Sequence, residues 1–548
     1  MRAPHPPWPR RDAAHLLASS AQMAAIEADL FAHGLPVEAL MEKAALAITA
    51  ALLSAPSRLK QGVTVLVGPG HNGGDALVVA RELHQAGIPV RFWSPFERHK
   101  PLTARHLEYA LWLGIERLSA APDPAEDNLW IDGLFGIGQS RPLDPSIEVL
   151  LEQRQRRRPG RLVAIDGPSG LCADSGQLLG RVAACAQTTY TLGLIKQGLV
   201  QDTALAWVGE LRRLDLGLPQ RLLEALPPQQ PLGLAAADRH GAPAPQLGPE
   251  RAKYGRGRLL LVCGSERYRG AVQLALLGAS ASGCGSLRAA LPEVIARGLW
   301  AVQPHVVVER ALTCDRDGSL HIGALGEPGA LERLDAVLLG PGIGAIAAGE
   351  GRPGEEAESE QGAWRALQGF TGLLVLDADG LNRLARRPSE VALLWLQGRS
   401  GPTWLTPHGG EFARLFPGLA GLPPLEAAAA AAAASGATVL LKGARTVVAS
   451  PQGQRWQLIE AEPACARAGL GDVLAGYAAG RGAMAIAGDG ATGGQTAVET
   501  LSALLAAMAL DHAQAGLQSA REGGAGAATP MAVAAALGRI GAEASSHG

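Results

Sequence analysis

Polar residues that can bind cations or move protons stand directly behind short apolar runs at several places in the 548-residue sequence. Asn72 and Asp75 follow "VTVLVG", Asp132 ends "NLWID", and Asp166 and Ser169 follow "RLVAI". An amide, carboxylates and a hydroxyl offer the several oxygens that a hard or large cation takes. A second set lies further along. His408 and Glu411 follow "TWLTP", Lys442 to Thr446 follow "TVLL", and Gly469-Leu470-Gly471-Asp472 precedes a helix-like run. Backbone amides at such a helix start favour an anion, and a carboxylate there can take a proton from a hydroxyl. A Lys-Gly turn with Arg445 and Thr446 suits nucleotide phosphates. Taken singly, each residue is also a good cap or turn former, and a lone loop His is usually a surface residue.

Gly68-Pro-Gly70-His-Asn-Gly73 spells G-x-G-x-x-G after a strand. A redox dinucleotide fold also needs an acidic residue roughly 20 positions on, at the tip of the second strand. That strand, "IPVRFW", ends in Ser94-Pro95 and carries no carboxylate. The spelling alone leaves open a dehydrogenase grip, a structural glycine turn and a different ligand loop. Strand ends in a parallel sheet share one crevice, so Asn72, Asp132, Asp166 and Ser169 together favour the last.

The elements that must position these residues alternate apolar runs with helix-length segments, the mark of βαβ units and a parallel sheet. The first series has runs at 63–68, 88–93, 128–133 and 161–167, after two helices in 19–53 that "HGLP" separates. Residues 217–250 are Pro-rich and read as a connector, and a second, different series follows from 258 to 450. The expected division is a domain over 1–217, a connector over 218–234 and a domain over 235–548. The alanine run 427–434 predicts one helix, and the acidic stretch 345–362 predicts a surface loop. Lys+Arg 49 against Asp+Glu 51 leaves a net charge of −2, which argues against nucleic acid as a partner. The six cysteines form no C-x-x-C pair, so a reducing, cytoplasmic setting is expected. The Pro- and Arg-rich start is unlike a signal peptide, and no apolar run of about 18 residues predicts a membrane span.

The motifs "SSAQMAAIE", "ALMEKA", "GPGHNGGDALVVA", "DGLFGIG", "AIDGPSGL" and "TLGLIKQGL" resemble, in order, the NAD(P)H-hydrate epimerase domain over about residues 12–216. The resemblance implies a Rossmann-like three-layer α/β/α fold. It implies that His71, Asn72, Gly73, Gly74, Asp75 and Gly136, Ile137, Gly138, Gln139, Ser140, Arg141, Pro142 line the dinucleotide substrate. Asp166 would contact the substrate and act in catalysis, while Asn72, Asp132 and Ser169 would ligate potassium. His71, Ala76, Lys43 and Gly167 depart from the family pattern.

"RYRGA", "LGPGIG", "VLDADGLN", "LTPHGGEF", "LKGARTVV" and "GLGDVLAG" are similar to the ADP-dependent NAD(P)H-hydrate dehydratases, of ribokinase-like α/β/α fold, over about residues 235–548. That resemblance implies substrate contacts from Ala271, Gly342, Gly344, His408 and Asp472, with Asp472 as base. Lys442, Gly443, Ala444, Arg445, Thr446 and Gly471 would bind the adenine nucleotide, with Mg2+ accompanying ADP. Leu470 stands where the family has a hydroxyl residue. The implied function is repair of hydrated nicotinamide cofactors, NADHX and NADPHX, by a homo-oligomer that touches neither nucleic acid nor membrane. The alternative is a ribokinase-like small-molecule kinase fused to a binding module, distinguished by a stable phosphorylated product.

Overall fold

The computed structural model describes residues 8–245, 252–344, 354–461, 463–489 and 495–546. It divides into two compact units, Arg10–Gly233 and Leu234–Gly548 with Met1–Pro9. In the first unit, Ser19 and Gln22 cap the Ser20–Ala32 helix reciprocally. The "HGLP" break then leads into the Val37–Leu53 helix. Seven strands form its sheet, in the order Glu116–Arg117, Val90–Trp93, Val63–Val67, Leu129–Gly133, Leu162–Ile165, Thr188–Leu192, Glu210–Leu214. Every neighbouring pair is parallel. The central strands are buried along their whole length, as sheets covered by helices on both faces require.

Of the expected connector, 218–234, residues 218–231 lie in this first unit, and Leu232–Leu234 forms a strand at the boundary. Leucines recur between the prolines and have apolar surface to bury: Leu218, Leu223, Leu226 and Leu232 are all buried. Gln230 Nε2 adds a hydrogen bond of 2.8 Å to Gln22 Oε1. Part of the Pro-rich stretch, 246–251, lies outside the described residues.

The second unit has a ten-stranded sheet in the order Leu232–Leu234, Arg455–Leu458, Val447–Ala449, Thr438–Leu441, Thr403–Leu405, Leu373–Leu376, Ala336–Leu339, Arg258–Val262, Ser286–Pro292, Val307–Leu312. Thr438–Leu441 pairs antiparallel with Val447–Ala449, which pairs antiparallel with Arg455–Leu458. The strands from Thr438–Leu441 to Val307–Leu312 are parallel. The alanine run lies in the Pro424–Ser435 helix, with Ala427, Ala428, Ala431 and Ala432 buried. The acidic stretch departs from its expectation: residues 345–353 lie outside the described residues, and 354–362 open the Gly354–Gly369 helix. Glu, Ala and Gln are good helix formers, and Ala363, Trp364 and Leu367 further along give the helix an apolar face to bury.

The Leu470–Asp489 helix, which carries Asp472, is held against the Arg269–Ala281 helix at very short range. A Cβ on Gly476 would stand 2.0 Å from the carbonyl oxygen of Ala275, so only glycine permits the crossing. Gly476→Ala should therefore lower stability by about 1–3 kcal/mol, the usual cost of overpacking, as a fall in the melting temperature of the full chain. An unchanged melting temperature would show that the helices can move apart freely.

Candidate active sites

In the first unit the chain runs outward from Val63–Val67 to one edge, then returns to Leu129–Gly133 on the other side. Loops leaving these two strands part in opposite directions, and the crevice between them is where open α/β sheets bind ligands. The loops touch at their base. A Cβ on Gly68 would overlap the carbonyl oxygen of Leu134 at 1.6 Å. The first loop turns directly into the His71–Gln85 helix, so His71 to Asp75 form its first turn. His71 is exposed, whereas Gly73, Gly74 and Asp75 are buried. The second loop, Gly136 to Pro142, is largely exposed and tethered by Gln139, whose Oε1 accepts from Gly170 N at 2.8 Å.

Asp132 and Ser169 meet at the floor of this crevice, both fully buried. Ser169 Oγ donates to Asp132 Oδ1 at 2.7 Å, and Ser169 N donates to Oδ2 at 2.8 Å. Burial outweighs these donors and pushes the Asp132 carboxyl up to about 6. Asn72 packs on the same loop: its Oδ1 is 3.4 Å from where a Gly136 Cβ would stand, and its buried Nδ2 has no hydrogen-bond partner. Asp132 and Ser169 thus join a carboxylate and a hydroxyl in a buried pair, with the Asn72 amide on the loop at Gly136 and no cationic partner for Asp132 among the described residues. That donor set fits a monovalent cation.

Asp166 takes a left-handed backbone, φ 63°, rare for a non-glycine residue. Its Oδ1 accepts from Leu192 N at 3.1 Å and pairs with the fully buried Lys196 ammonium. Lys196 Nζ also donates to Leu192 O at 2.8 Å and Thr191 Oγ1 at 3.2 Å. Asp75 is held well above the usual carboxylate range by burial, with Asp166 and Glu27 adding like charge. Glu27 is raised too, first by burial and then by Asp166.

The second unit repeats the device. Its chain leaves Arg258–Val262 toward one edge and returns at Ala336–Leu339 on the other side. Gly264 N donates to Pro341 O at 2.7 Å across this switch point. Gly342 lies against Tyr268 and Ala271 from the opposite loop, and Gly344 N donates to Asp379 Oδ2 at 2.9 Å. Three more strand ends bring Asp377, His408 and Lys442. His408 caps the Gly409–Leu415 helix: Nδ1 accepts from Gly410 N at 2.9 Å and Nε2 lies 3.2 Å from Glu411 Oε1. Lys442 pairs with Asp377, and a Cβ on Gly471 would stand 3.2 Å from the Lys442 ammonium. In the following turn Gly443 and Ala444 are exposed while Arg445 is buried, so the accessible part is backbone. Thr446 Oγ1 closes the turn on Gly443 O at 3.1 Å.

Asp472 occupies the first turn of the Leu470–Asp489 helix. Burial, and after it the Asp377 carboxylate, push its carboxyl up to about 7, with Lys442 opposing and Asp379 and Glu411 adding. A half-buried carboxyl near neutrality is matched to proton transfer at physiological pH.

The sequence model of the family described as NAD(P)H-hydrate dehydratase matches residues 259–536, and that of the YjeF-related protein N-terminus matches residues 37–198. A bifunctional NAD(P)H-hydrate repair enzyme of Gloeobacter violaceus is 43% identical over 469 residues, covering 84% of this chain and 87% of its own. That of Synechocystis is 41% identical over 477 residues, covering 86% of each chain. The chain belongs to the bifunctional NAD(P)H-hydrate repair enzyme family. A solved ADP/ATP-dependent NAD(P)H-hydrate dehydratase of Bacillus subtilis, co-crystallised with ATP/Mg2+, is 26% identical with a TM-score of 0.43, covering 56% of this chain and 96% of that one.

The structure joins Asp132 to Ser169, sets Asn72 against the loop at Gly136, and brings Asp75 within electrostatic range of Asp166. It brings Lys442, Gly471 and Asp472 into another. Sequence reasoning passed over Glu27, Lys196, Asp377 and Asp379. Asp377 carries the same signal as Asp132, an Asp at the end of an apolar run. Lys196 carries no such signal, because its partner is 30 residues away.

Asp472 makes stability depend on pH. Its folded value exceeds the ordinary 3.8, so its stabilising contribution is complete below about pH 4 and is lost as pH rises through about 7. Asp472→Asn escapes that loss. It should be more stable than the native chain by about 2–4 kcal/mol near pH 8, with the gap closing toward pH 4. Parallel melts at both pH values check this, and a gap that does not change with pH contradicts it.

Proposed function

We propose that the first unit interconverts the R and S epimers of hydrated NADH and NADPH, and that the second dehydrates the S epimer with ADP, giving AMP and phosphate. The observation that carries the reading is Asp472: a near-neutral carboxyl at a helix start, beside a lysine and a glycine turn, behind a switch-point crevice. In the second site the nucleotide's phosphates lie along the exposed Gly443–Ala444 backbone and the helix start at Gly471, where amides favour an anion. Ala271, Gly342 and Gly344 line the substrate side, and His408 is fixed by Glu411 to contact it.

The substrate hydroxyl at the hydrated ring carbon gives its proton to Asp472 as its oxygen attacks the terminal phosphorus of ADP, and AMP departs. The new phosphate ester then leaves with the electrons of its C–O bond. A proton lost from the neighbouring ring carbon supplies the pair that forms the double bond. Phosphorylation thus turns hydroxide, a poor leaving group, into a good one. No group of three or more His, Cys, Asp or Glu among the described residues is arranged to hold a metal. We therefore give Mg2+ no protein ligand; it would accompany the nucleotide phosphates.

In the first site Asn72, Asp132 and Ser169 would hold potassium, which would supply positive charge opposite the buried Asp132 carboxyl. Asp166, paired with Lys196, contacts the dinucleotide at the crevice. Cytoplasmic location completes the reading, and six cysteines that form no C-x-x-C pair suit a reducing compartment. Self-association belongs to it as well.

The deciding experiment gives the full chain both epimers of hydrated NADH with ADP and follows the absorbance of reduced nicotinamide. Complete conversion of both is expected. A phosphorylated product that persists would replace the reading with a small-molecule kinase. Asp472→Asn should cut dehydration by at least about 10²–10⁴-fold and leave epimerisation intact. Asp132→Ala should do the reverse, abolishing epimerisation while dehydration of the S epimer continues at the native rate.

A further inference from the structure

We propose that Asp377 is a positioning residue of the dehydration site: by holding the Lys442 ammonium in a fixed ion pair, it prevents that ammonium from neutralising Asp472. The inference rests on Asp472 being the base. Asp377 ends the Leu373–Leu376 strand and precedes the Ala378–Leu384 helix, the ordinary place for a cap, yet its side chain makes no capping hydrogen bond. Its Oδ1 accepts instead from Thr406 Oγ1 at 2.8 Å and from Lys442 Nζ, with only 1% of the side chain exposed. The backbone is fixed at the same point. A Cβ on Gly340 would overlap Asp377 O at 1.8 Å, and Ala378 takes a positive φ of 45°. A carboxylate in a capping position that turns away from the cap toward a lysine on a strand two places across is doing something other than ending a helix.

Lys442 is equally constrained. Its backbone N donates to Pro407 O at 2.8 Å, and its ammonium lies beside Gly471, one residue before Asp472. Burial pulls the ammonium down, but Asp377 and then Glu411 outweigh it and keep it charged. An ammonium so close to the base has two carboxylates to choose between, and its pairing with Asp377 decides the base's character. Paired with Asp472, it would hold that carboxyl in the usual low range and make it a weak proton acceptor. Paired with Asp377, it leaves Asp472 near neutrality. The groups that face Asp472 are Asp377, Asp379, Glu411, Lys442 and the buried Cys263 thiol, itself pushed up to about 12 by burial and by Asp472. His408 is engaged by Glu411, and the buried His512, which hydrogen-bonds the Leu470 backbone, is pushed down to about 4 and neutral.

The test is the pH dependence of kcat for dehydration of the S epimer at saturating ADP, in Asp377→Asn, Lys442→Met and the double variant. Asp377→Asn removes one anion from beside Asp472 and frees Lys442 to approach it. The acid limb should therefore move down by at least about one pH unit, and the plateau should fall at least about tenfold as the base weakens. Lys442→Met should move the limb up. The double variant, which replaces a buried pair by neutral groups, should fold and return the limb close to the native position. It keeps the proposal testable if a single variant fails to fold, because a limb displaced in the double variant by as much as a full unit overturns it. So does an Asp377→Asn limb at the native pH with a reduced plateau, which assigns Asp377 a purely structural role. Asp472→Asn run alongside separates the two ideas. Native turnover there removes the base and the proposal with it, whereas loss of turnover leaves the limb shifts to judge Asp377 alone.

Discussion

Both sites depend on one constraint of parallel sheets. Where the chain reverses its direction of travel across the sheet, the loops on either side of the reversal must part, and the gap opens at the carboxyl ends of the strands. The reversals fall between Val63–Val67 and Leu129–Gly133 in one unit, and between Arg258–Val262 and Ala336–Leu339 in the other. The central strands are largely apolar, because helices cover both faces. Hydroxyls such as Thr64 and Thr189 are buried within strands, but the charged side chains of the two sites stand at the strand ends. Asp132, Asp166, Asp377, His408 and Lys442 all stand there, and their convergence follows from the topology.

Placing carboxylates in such a gap desolvates them, and the two units deal with that in two ways. Some acids receive a cationic partner. Asp166 pairs with Lys196, which also donates to two neighbouring acceptors, Thr191 Oγ1 and Leu192 O, and Asp377 accepts from Lys442 and Thr406. Others receive less and are pushed toward the protonated form: Asp75 and Glu27 in one crevice, Asp472 in the other. Of the second kind, Asp472 is pushed up to about 7 and can exchange protons near neutral pH, in the field of its charged neighbours. Each crevice thus holds a paired acid beside an unpaired one. A proton-transfer site needs that contrast, because two equally solvated carboxylates would titrate together in the acid range.

The parts of this arrangement that are local in sequence are legible there. Strand runs at 63–68, 128–133, 336–342 and 373–380 lie where strands form, and the alanine run lies in a helix as its composition predicts. Asn72, Asp132 and Ser169 are conspicuous in the sequence because each sits next to its own strand end. What escaped was set by tertiary context. The acidic stretch 354–362 reads as a loop by charge, yet it opens a helix whose later residues bury Trp364 and Leu367. Residues 218–234 read as a linker by proline content, yet Leu218, Leu223 and Leu226 are buried within the first unit. Lys196 and Lys442 acquire their meaning from carboxylates 30 and 65 residues away, which no local pattern announces.

The helix start at Leu470 shows how such context absorbs a change in residue type. A hydroxyl is expected at this position, and a side chain that hydrogen-bonds a phosphate would have to point into the crevice. Leu470 is 5% exposed, so it is packed into the core instead. Its backbone is held by His512, a fully buried imidazole kept neutral by its surroundings. The first turn is therefore fixed by apolar packing and one uncharged ring. A neutral hydrogen bond of the kind lost here is worth only about 0.5–1.5 kcal/mol net. The positive end of the helix and the amides of its first turn do not depend on the side chain at 470. Gly471 then brings bare backbone alongside the Lys442 ammonium, so the charge and the donors that an anion needs are both retained. In the proposed anion site the attraction would come from the helix start with the paired lysine beside it, and the side chain at 470 serves the core.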